Sequence, residues 1–249
     1  QPFELNNGKR RKTKYIEPAQ IKEQFDNILP NWWTYATVEQ ISSSIPGSIQ
    51  SGPFGSNLLH SEFQEEGILV IGIDNVQDGY FSYGKQHRIN ENKYLELKKY
   101  TARPKDVLIT VMATIGRCCI VPENIETAII SKHVYRITVN RSIILPEFLL
   151  LVLTGDISTC NQILTQIRGQ TRPGINGEIL KNLIIPVPPI QEQHKIICFV
   201  DALFNHMKSV ESEVYTGKQK IEEITQSILH QAFTGKLIPL NETSVEVNS

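Results

Sequence analysis

Apolar positions along this chain fall into three regimes. Before Leu29 they are sparse and separated by polar and charged residues. Pro30, Trp32 and Trp33 then mark the start of a folded domain, since aromatic rings bury large areas and these two are expected to anchor the chain to a core. From there to Pro189 the apolar residues come in short β-branched runs. Ile68–Ile73, Val107–Met112, Val134–Val139 and Leu183–Val187 read as strands, with turn signals at Asp78-Gly79, Pro104 and Pro122-Glu123-Asn124. Pro146 opens a helical run through Thr154, because proline is tolerated in a first turn. Thr159–Ile167 is a second helical candidate, stopped by Gly169. Asn176 is placed to cap a short helix over 177–182. The mixture predicts an α+β fold, a β-rich domain followed by a long helix of coiled-coil type.

The third regime follows Pro186, Pro188 and Pro189. Ile196, Leu203, Val210, Gly217 and Ile224 interleave with Val200, Met207, Val214, Ile221 and Ile228 at gaps of four and three. All but Gly217 are apolar, so this is a heptad seam held for more than four repeats. It spans about 50 Å at 1.5 Å per residue. Lys208, Glu211, Glu213, Lys218, Lys220 and Glu222 occupy the intervening face. Such a stripe must be buried, either against its own domain or against a partner helix. Gly217 weakens the helix by about 1 kcal/mol relative to alanine, and Gly235 suits its end. These patterns divide the chain into a polar lead-in (1–30), a β-rich domain (31–188), a spacer helix (189–235) and a tail (236–249).

The chain has 249 residues with Lys+Arg 25 and Asp+Glu 26, a net charge of −1. That balance excludes a wholly basic coat protein but leaves room for a local basic face. Lys9-Arg10-Arg11-Lys12 makes the lead-in positive, as a solvated segment or as a contact to DNA phosphates. The chain starts at Gln1, which fits a fragment or a trimmed chain. No apolar leader and no run of about 18 apolar residues occurs, so neither a signal peptide nor a membrane span is expected. Cys118, Cys119, Cys160 and Cys198 form no C-x-x-C and read as free thiols in a cytoplasmic protein.

Catalytic signatures are missing. The sequence holds no phosphate-binding loop, no H-E-x-x-H, no nucleophile elbow and no N-P-P-[YF] motif. Glu96-Leu97-Lys98 matches the last element of a nuclease pattern, a match common by chance. What remains is a binding surface. Three windows carry cations without acids: 79–90, 127–146 and 157–177. They read as ordinary surface charge or as phosphate contacts. On charge and loop position, the DNA-binding candidates are Lys85, Arg88, Arg117, Lys132, His133, Arg136, Gln170, Thr171, Arg172 and Asn176. The loop Gly169–Asn176 is the most suggestive. Its backbone and Arg172 suit a phosphate, and the amides of Gln170 and Asn176 suit an adenine edge, although a plain helix cap is the stronger reading of Asn176. No metal-ligand spacing is present.

A longer set of motifs extends along the chain. Leu29-Pro30-Asn31-Trp32-Trp33 precedes Gly52-Pro53-Phe54-Gly55-Ser56; Gly67–Ile71 leads to Asp74-Asn75-Val76 and Gly79; Asp106–Ile109 leads to Thr114-Ile115-Gly116. The end of the chain carries the most specific part. It runs Gly169–Arg172, Leu180–Leu183, Ile185–Pro189 and Glu192-Gln193, then Ser227–Leu229, Ala232-Phe233, Gly235 and Leu237. In order and spacing these motifs resemble the DNA specificity subunit of Type I restriction–modification systems. One departure is Lys105, where that family has glycine before the aspartate.

The resemblance implies a target recognition domain followed by a long helix, in a single-unit form where a full member has two units in tandem. It implies a non-catalytic subunit that reads half of a split site in double-stranded DNA. Methyltransferase subunits and a restriction translocase/nuclease subunit would be its partners. S-adenosylmethionine, ATP and Mg would bind those partners, and no cofactor would bind this chain. The assembly residues would be Ile196, Val200, Leu203, Met207, Val210, Val214, Ile221, Ile224 and Ile228. In a full member this helix pairs antiparallel with that of the other half of the same chain. Here a second copy would take that place or, alternatively, a missing second half. The competing expectation is a protein-interaction adaptor built on the helix, without DNA specificity. Base-reading residues are not transferred by these motifs.

Overall fold

The computed structural model describes residues 29–167 and 174–237. They fall into two compact units that divide between Ile197 and Cys198. The first is built on three small sheets. β1 (Thr34–Thr37) pairs antiparallel with the last strand, β9 (Ile184–Val187), so the two ends of the β-rich region lie side by side. A four-stranded antiparallel sheet runs β2 (Ile49–Ser51), β8 (Val134–Ile137), β5 (Val107–Thr110), β6 (Cys118–Ile120). A three-stranded sheet runs β4 (His87–Ile89), β3 (Ile68–Ile71), β7 (Ala128–Ile130), with β3 and β7 parallel.

Strand β5 explains the layering. All four of its residues are buried, and they alternate between two cores. Val107 and Ile109 join a cluster with α1 (Val38–Ile41), α3 (Pro146–Gly155), α4 (Ile157–Ile167) and α5 (Gly177–Asn182). Leu108 joins a second cluster with β3, β7 and α2 (Glu91–Leu97). A strand buried on both faces reads as a continuous apolar run, the pattern that Val107–Met112 shows. Cys118 and Cys119 obey the same alternation: one thiol faces each core. That geometry keeps the neighbouring sulfurs apart, and both are free. Burial raises both thiol pKa values, that of Cys119 to about 12, so neither is an activated nucleophile.

Two expectations change at the domain's edges. Trp32 is not a core anchor: it is 66% exposed, and its Nε1 donates to Glu192 Oε2 at 2.8 Å. Tyr35, on the inward face of β1, takes the core position instead. Lys105, standing where glycine was expected, still makes the turn, with φ at 67°. That conformation costs a side-chain-bearing residue about 1–2 kcal/mol. The Lys105 N–H donates to Val121 O, and its Nζ reaches Glu147 at 2.8 Å and Glu123 at 3.5 Å, which offsets the strain.

The longest helix, α6 (Ile190–Phe233), begins inside the first unit. Gln193 is fully buried there. Its Oε1 accepts from Leu145 N, and its Nε2 donates to Ile143 O and Pro188 O. Ile196 and Ile197 pack against the core. From Cys198 onward α6 constitutes the second described unit, and its seam side chains are open. Leu203 is 48% exposed, Met207 63% and Ile221 66%. Among the described residues no single helix is long and apolar enough to cross a membrane.

Candidate nucleic-acid interface

The pairing registers bring five connections to one end of the first unit. Ser51, ending β2, lies opposite Tyr135 near the start of β8, and Thr110, ending β5, lies opposite Val134. Ile71 and Ile130, ending the parallel strands β3 and β7, are partners. The loops that leave these strand ends therefore start side by side: 52–67, 72–86, 111–117 and 131–133. Backbone bonds tie them together. Gly52 N donates to Val134 O, Ser131 N to Ile71 O at 2.8 Å, and Val111 N to His133 O at 3.0 Å. Gly79 N donates to Cys118 O at 2.9 Å, and Ile175 N to Val111 O at 3.1 Å, which adds the segment before α5.

Gly52 shows why this end begins with glycine. A Cβ there would collide with the backbone of Ile130 and Ser131, so only glycine permits the close approach. The chain then turns outward and exposes Phe54. Loop 72–86 is held by Asn75, a buried side chain. Its Oδ1 accepts from Gly72 N, and its Nδ2 donates to Ser82 O and Lys85 O.

The expected cations divide sharply. Lys85 and Lys132 are exposed, and neither has an ion-pair partner among the described residues. Both sit on the gathered loops. Arg117 is also there but is committed: its Nη1 donates to Gln77 Oε1 at 3.2 Å, and its Nε lies 3.8 Å from Asp78. It braces loop 72–86 rather than offering a free charge. His133 is half-buried, and burial followed by the neighbouring Lys132 lowers its pKa, which disfavours the charge a phosphate contact would use.

Two candidates are corrected. Arg136 is a core residue, 2% exposed. Its Nη2 donates to Gly47 O and Lys99 O, and its Nε lies 3.9 Å from buried Asp106. Thr138 Oγ1 donates to Asp106 Oδ1 at 2.5 Å, and Arg103 N donates to Oδ2. Burial pushes the Asp106 carboxyl up and the guanidinium down, each disfavouring its own charge. A guanidinium enclosed this way cannot meet a phosphate. Arg88 lies on β4, toward the other end of β3. It grips Glu126 with both terminal nitrogens, at 2.8 and 2.6 Å, and also bonds Gly67 O and Gln86 Oε1. Its fork is fully used.

Asn176 lies at the gathered end as a helix cap, its Oδ1 accepting from Glu178 N and Ile179 N. Bidentate reading of adenine needs that oxygen, so the capping role displaces it. Gln170, Thr171 and Arg172 lie outside the described residues.

Reasoning from charge overlooked the aromatic side chains. Besides Phe54, Tyr80, Tyr83 and Met112 are exposed on the same loops. The signal was present: Asp78-Gly79 was legible as a turn, and the aromatic residues follow it directly. Among the described residues no three His, Cys, Asp or Glu side chains gather to hold a metal.

A family model described as the Type I restriction modification DNA specificity domain matches residues 62–223, more than half of the chain. The chain belongs to this family. Relatives in the specificity family include the EcoBI specificity subunit of Escherichia coli, 32% identical over 173 residues, 70% of this chain and 36% of the relative. The EcoKI specificity subunit of Escherichia coli strain K12 is 22% identical over 88% of this chain and 47% of its own. The chain thus spans between a third and a half of these relatives. The fold is that of the HsdS subunit from Thermoanaerobacter tengcongensis, with a TM-score of 0.58 at 19% identity, covering 85% of this chain and 47% of that one. A chain from a structure concerned with complex assembly and conformational transition of the type I R-M system aligns with a TM-score of 0.62 at 19% identity. It covers 88% of this chain and 51% of the other.

Proposed function

We propose that this chain is a non-catalytic DNA-reading module of a Type I restriction–modification complex, engaging one half of a split site. The observation that carries this reading is the gathering of five connections at one end of a compact unit, with Lys85 and Lys132 displayed there. Loops fixed by a scaffold are where binding residues concentrate, and unpaired lysines supply the phosphate attraction that positions a duplex. Residues 31–188 form the recognition domain in this reading, and 189–235 form the spacer and assembly helix. Methyltransferase and restriction subunits supply the chemistry, together with S-adenosylmethionine, ATP and Mg.

The open seam of α6 takes a second copy of this chain. An antiparallel pairing that sets Val210 against Val214 also sets Leu203 against Ile221, Val200 against Ile224 and Met207 against Gly217. The long methionine then fills the space the glycine leaves, which gives Gly217 a packing role. Glu211 of one copy and Lys218 of the other flank the same layers with opposite charge. Two identical readers related by a two-fold axis prefer an interrupted palindrome.

The test is binding of the full chain to mixed-sequence duplex DNA over a range of salt. The expected result is a linear fall of log affinity with log salt, roughly −0.9 per neutralised phosphate, and a shallower slope for Lys85→Ala and Lys132→Ala. Absent or salt-insensitive binding overturns the reading and favours a protein-interaction adaptor.

A further inference from the structure

The turn at residues 77–80 is the most heavily braced part of the gathered loops, yet the side chain of its closing residue, Tyr80, is open. Gln77 N donates to Tyr80 O at 3.1 Å, closing the turn, and Val76 pairs with Phe81 below it. Gly79 takes φ 87°, which a turn of this shape requires. Three struts fix the turn from outside: Gly79 N on Cys118 O, Arg117 on Gln77 and Asp78, and the buried Asn75 amide on Ser82 and Lys85. Phe81 packs on the second core and meets Tyr83 edge to face, with ring centroids 5.0 Å apart. Tyr80 is 62% exposed.

A single exposed tyrosine is ordinary. This one differs because its backbone is immobilised from three directions, and because Lys85 is displayed on the same loop and Lys132 on a neighbouring one. Among the described residues the expected arginine readers are spent elsewhere, Arg88 on Glu126, Arg136 in the core and Arg117 on the turn itself; Arg172 lies outside them. Among the described residues, direct reading at this end therefore falls to something other than a free guanidinium. Tyrosine suits the task. It has few rotatable bonds, so little entropy is lost on contact, and its ring offers apolar area to a thymine methyl or to a base step.

We propose that Tyr80 is a specificity-determining residue whose ring contacts the bases of duplex DNA, presented on a finger that Asn75 and Arg117 hold rigid. The proposal rests on the DNA-reading function above. Lys85 and Lys132 supply affinity for any duplex, and Tyr80 supplies the preference among sequences.

The experiment selects duplexes from a library with a randomised centre, using the full chain, and measures affinity for the selected duplex and for a mixed-sequence duplex. Tyr80→Ala is expected to lower affinity for the selected duplex at least ten-fold and to relax the selected sequence at a limited set of positions. Its mixed-sequence affinity, salt dependence and thermal transition should stay as in the wild type, because the ring is not packed in the core. Tyr80→Phe, which keeps the ring, should stay within about three-fold of wild type. If Tyr80→Ala selects the same sequence with the same affinity, the specificity role is wrong while DNA reading stands. If Tyr80→Phe loses as much as Tyr80→Ala, the ring is not the reading group. A wild-type chain that binds no duplex overturns both proposals, and one that binds without selecting any sequence overturns the role of Tyr80 alone.

Discussion

The two units of this chain solve the burial problem in opposite ways. The first encloses two apolar cores: Val107, Leu108, Ile109, Cys118, Cys119 and Ile137 have no exposed surface. Even its buried charges are answered within, Arg136 by two carbonyls and Asp106 by Thr138 and Arg103. The second unit leaves Leu203, Met207, Val214, Ile221 and Ile224 open along one helix. The first has cores of its own. The second leaves its apolar face open, although an isolated helix draws its stability from the packing of such a face. A chain can thus carry one region that buries its own core and another whose apolar stripe stays open.

The sharpest way to break this contrast is to put charge into each region. In the helix, Leu203→Glu with Ile224→Glu is expected to abolish self-association at high micromolar concentration, read by sedimentation. The thermal transition of the first unit should persist. A wild-type chain that stays monomeric would remove the homodimer. In the domain, Arg136→Ala leaves Asp106 buried without its cation and should cost about 3–5 kcal/mol in urea unfolding. A loss below about 1 kcal/mol would mean that water replaces the guanidinium.

Gln193 tests the junction, because it is the point where the first turn of α6 is sewn into the first unit. Gln193→Ala leaves the Leu145 N–H and two carbonyls unpaired, and should destabilise the first unit by about 1–3 kcal/mol. An unchanged unfolding midpoint would mean that the helix start is held by Ile196 and Ile197 alone.

The smallest effect is expected at Glu126. Arg88 holds this carboxyl below its ordinary pKa. Its folded value therefore lies below the unfolded one, so the pair contributes stability above the ordinary glutamate range. That contribution is lost as pH falls through the depressed value. Glu126 is half open, so screening limits the contribution to at most about 1 kcal/mol. Glu126→Gln should flatten this part of the pH–stability curve and leave neutral-pH DNA binding unchanged. A gain in DNA affinity on that substitution would show Arg88 to be a reader held in check.

Much of the fold was legible because periodicity reports burial. The β-branched runs at 68, 107 and 134 became β3, β5 and β8, the helix after Pro146 formed, and the heptads from Ile196 onward lie on one continuous helix. The three-residue strands β2, β4, β6 and β7 are too short to show a period, and registry with their neighbours makes them strands. The candidate interface was less legible still. A window free of acids says that a cation lacks a near neighbour in sequence, but it says nothing of partners far along the chain. Arg88 found Glu126, and Arg136 found Gly47 and Asp106, across loops that only folding brings together. The sequence by itself determined which segments are apolar on one face, on two faces or in a seam, because side-chain direction follows from local geometry. Only the tertiary structure decided which charges stayed free and which aromatic residue stands exposed at the close of a braced turn, because partners in space are set by strand pairing rather than by distance along the chain.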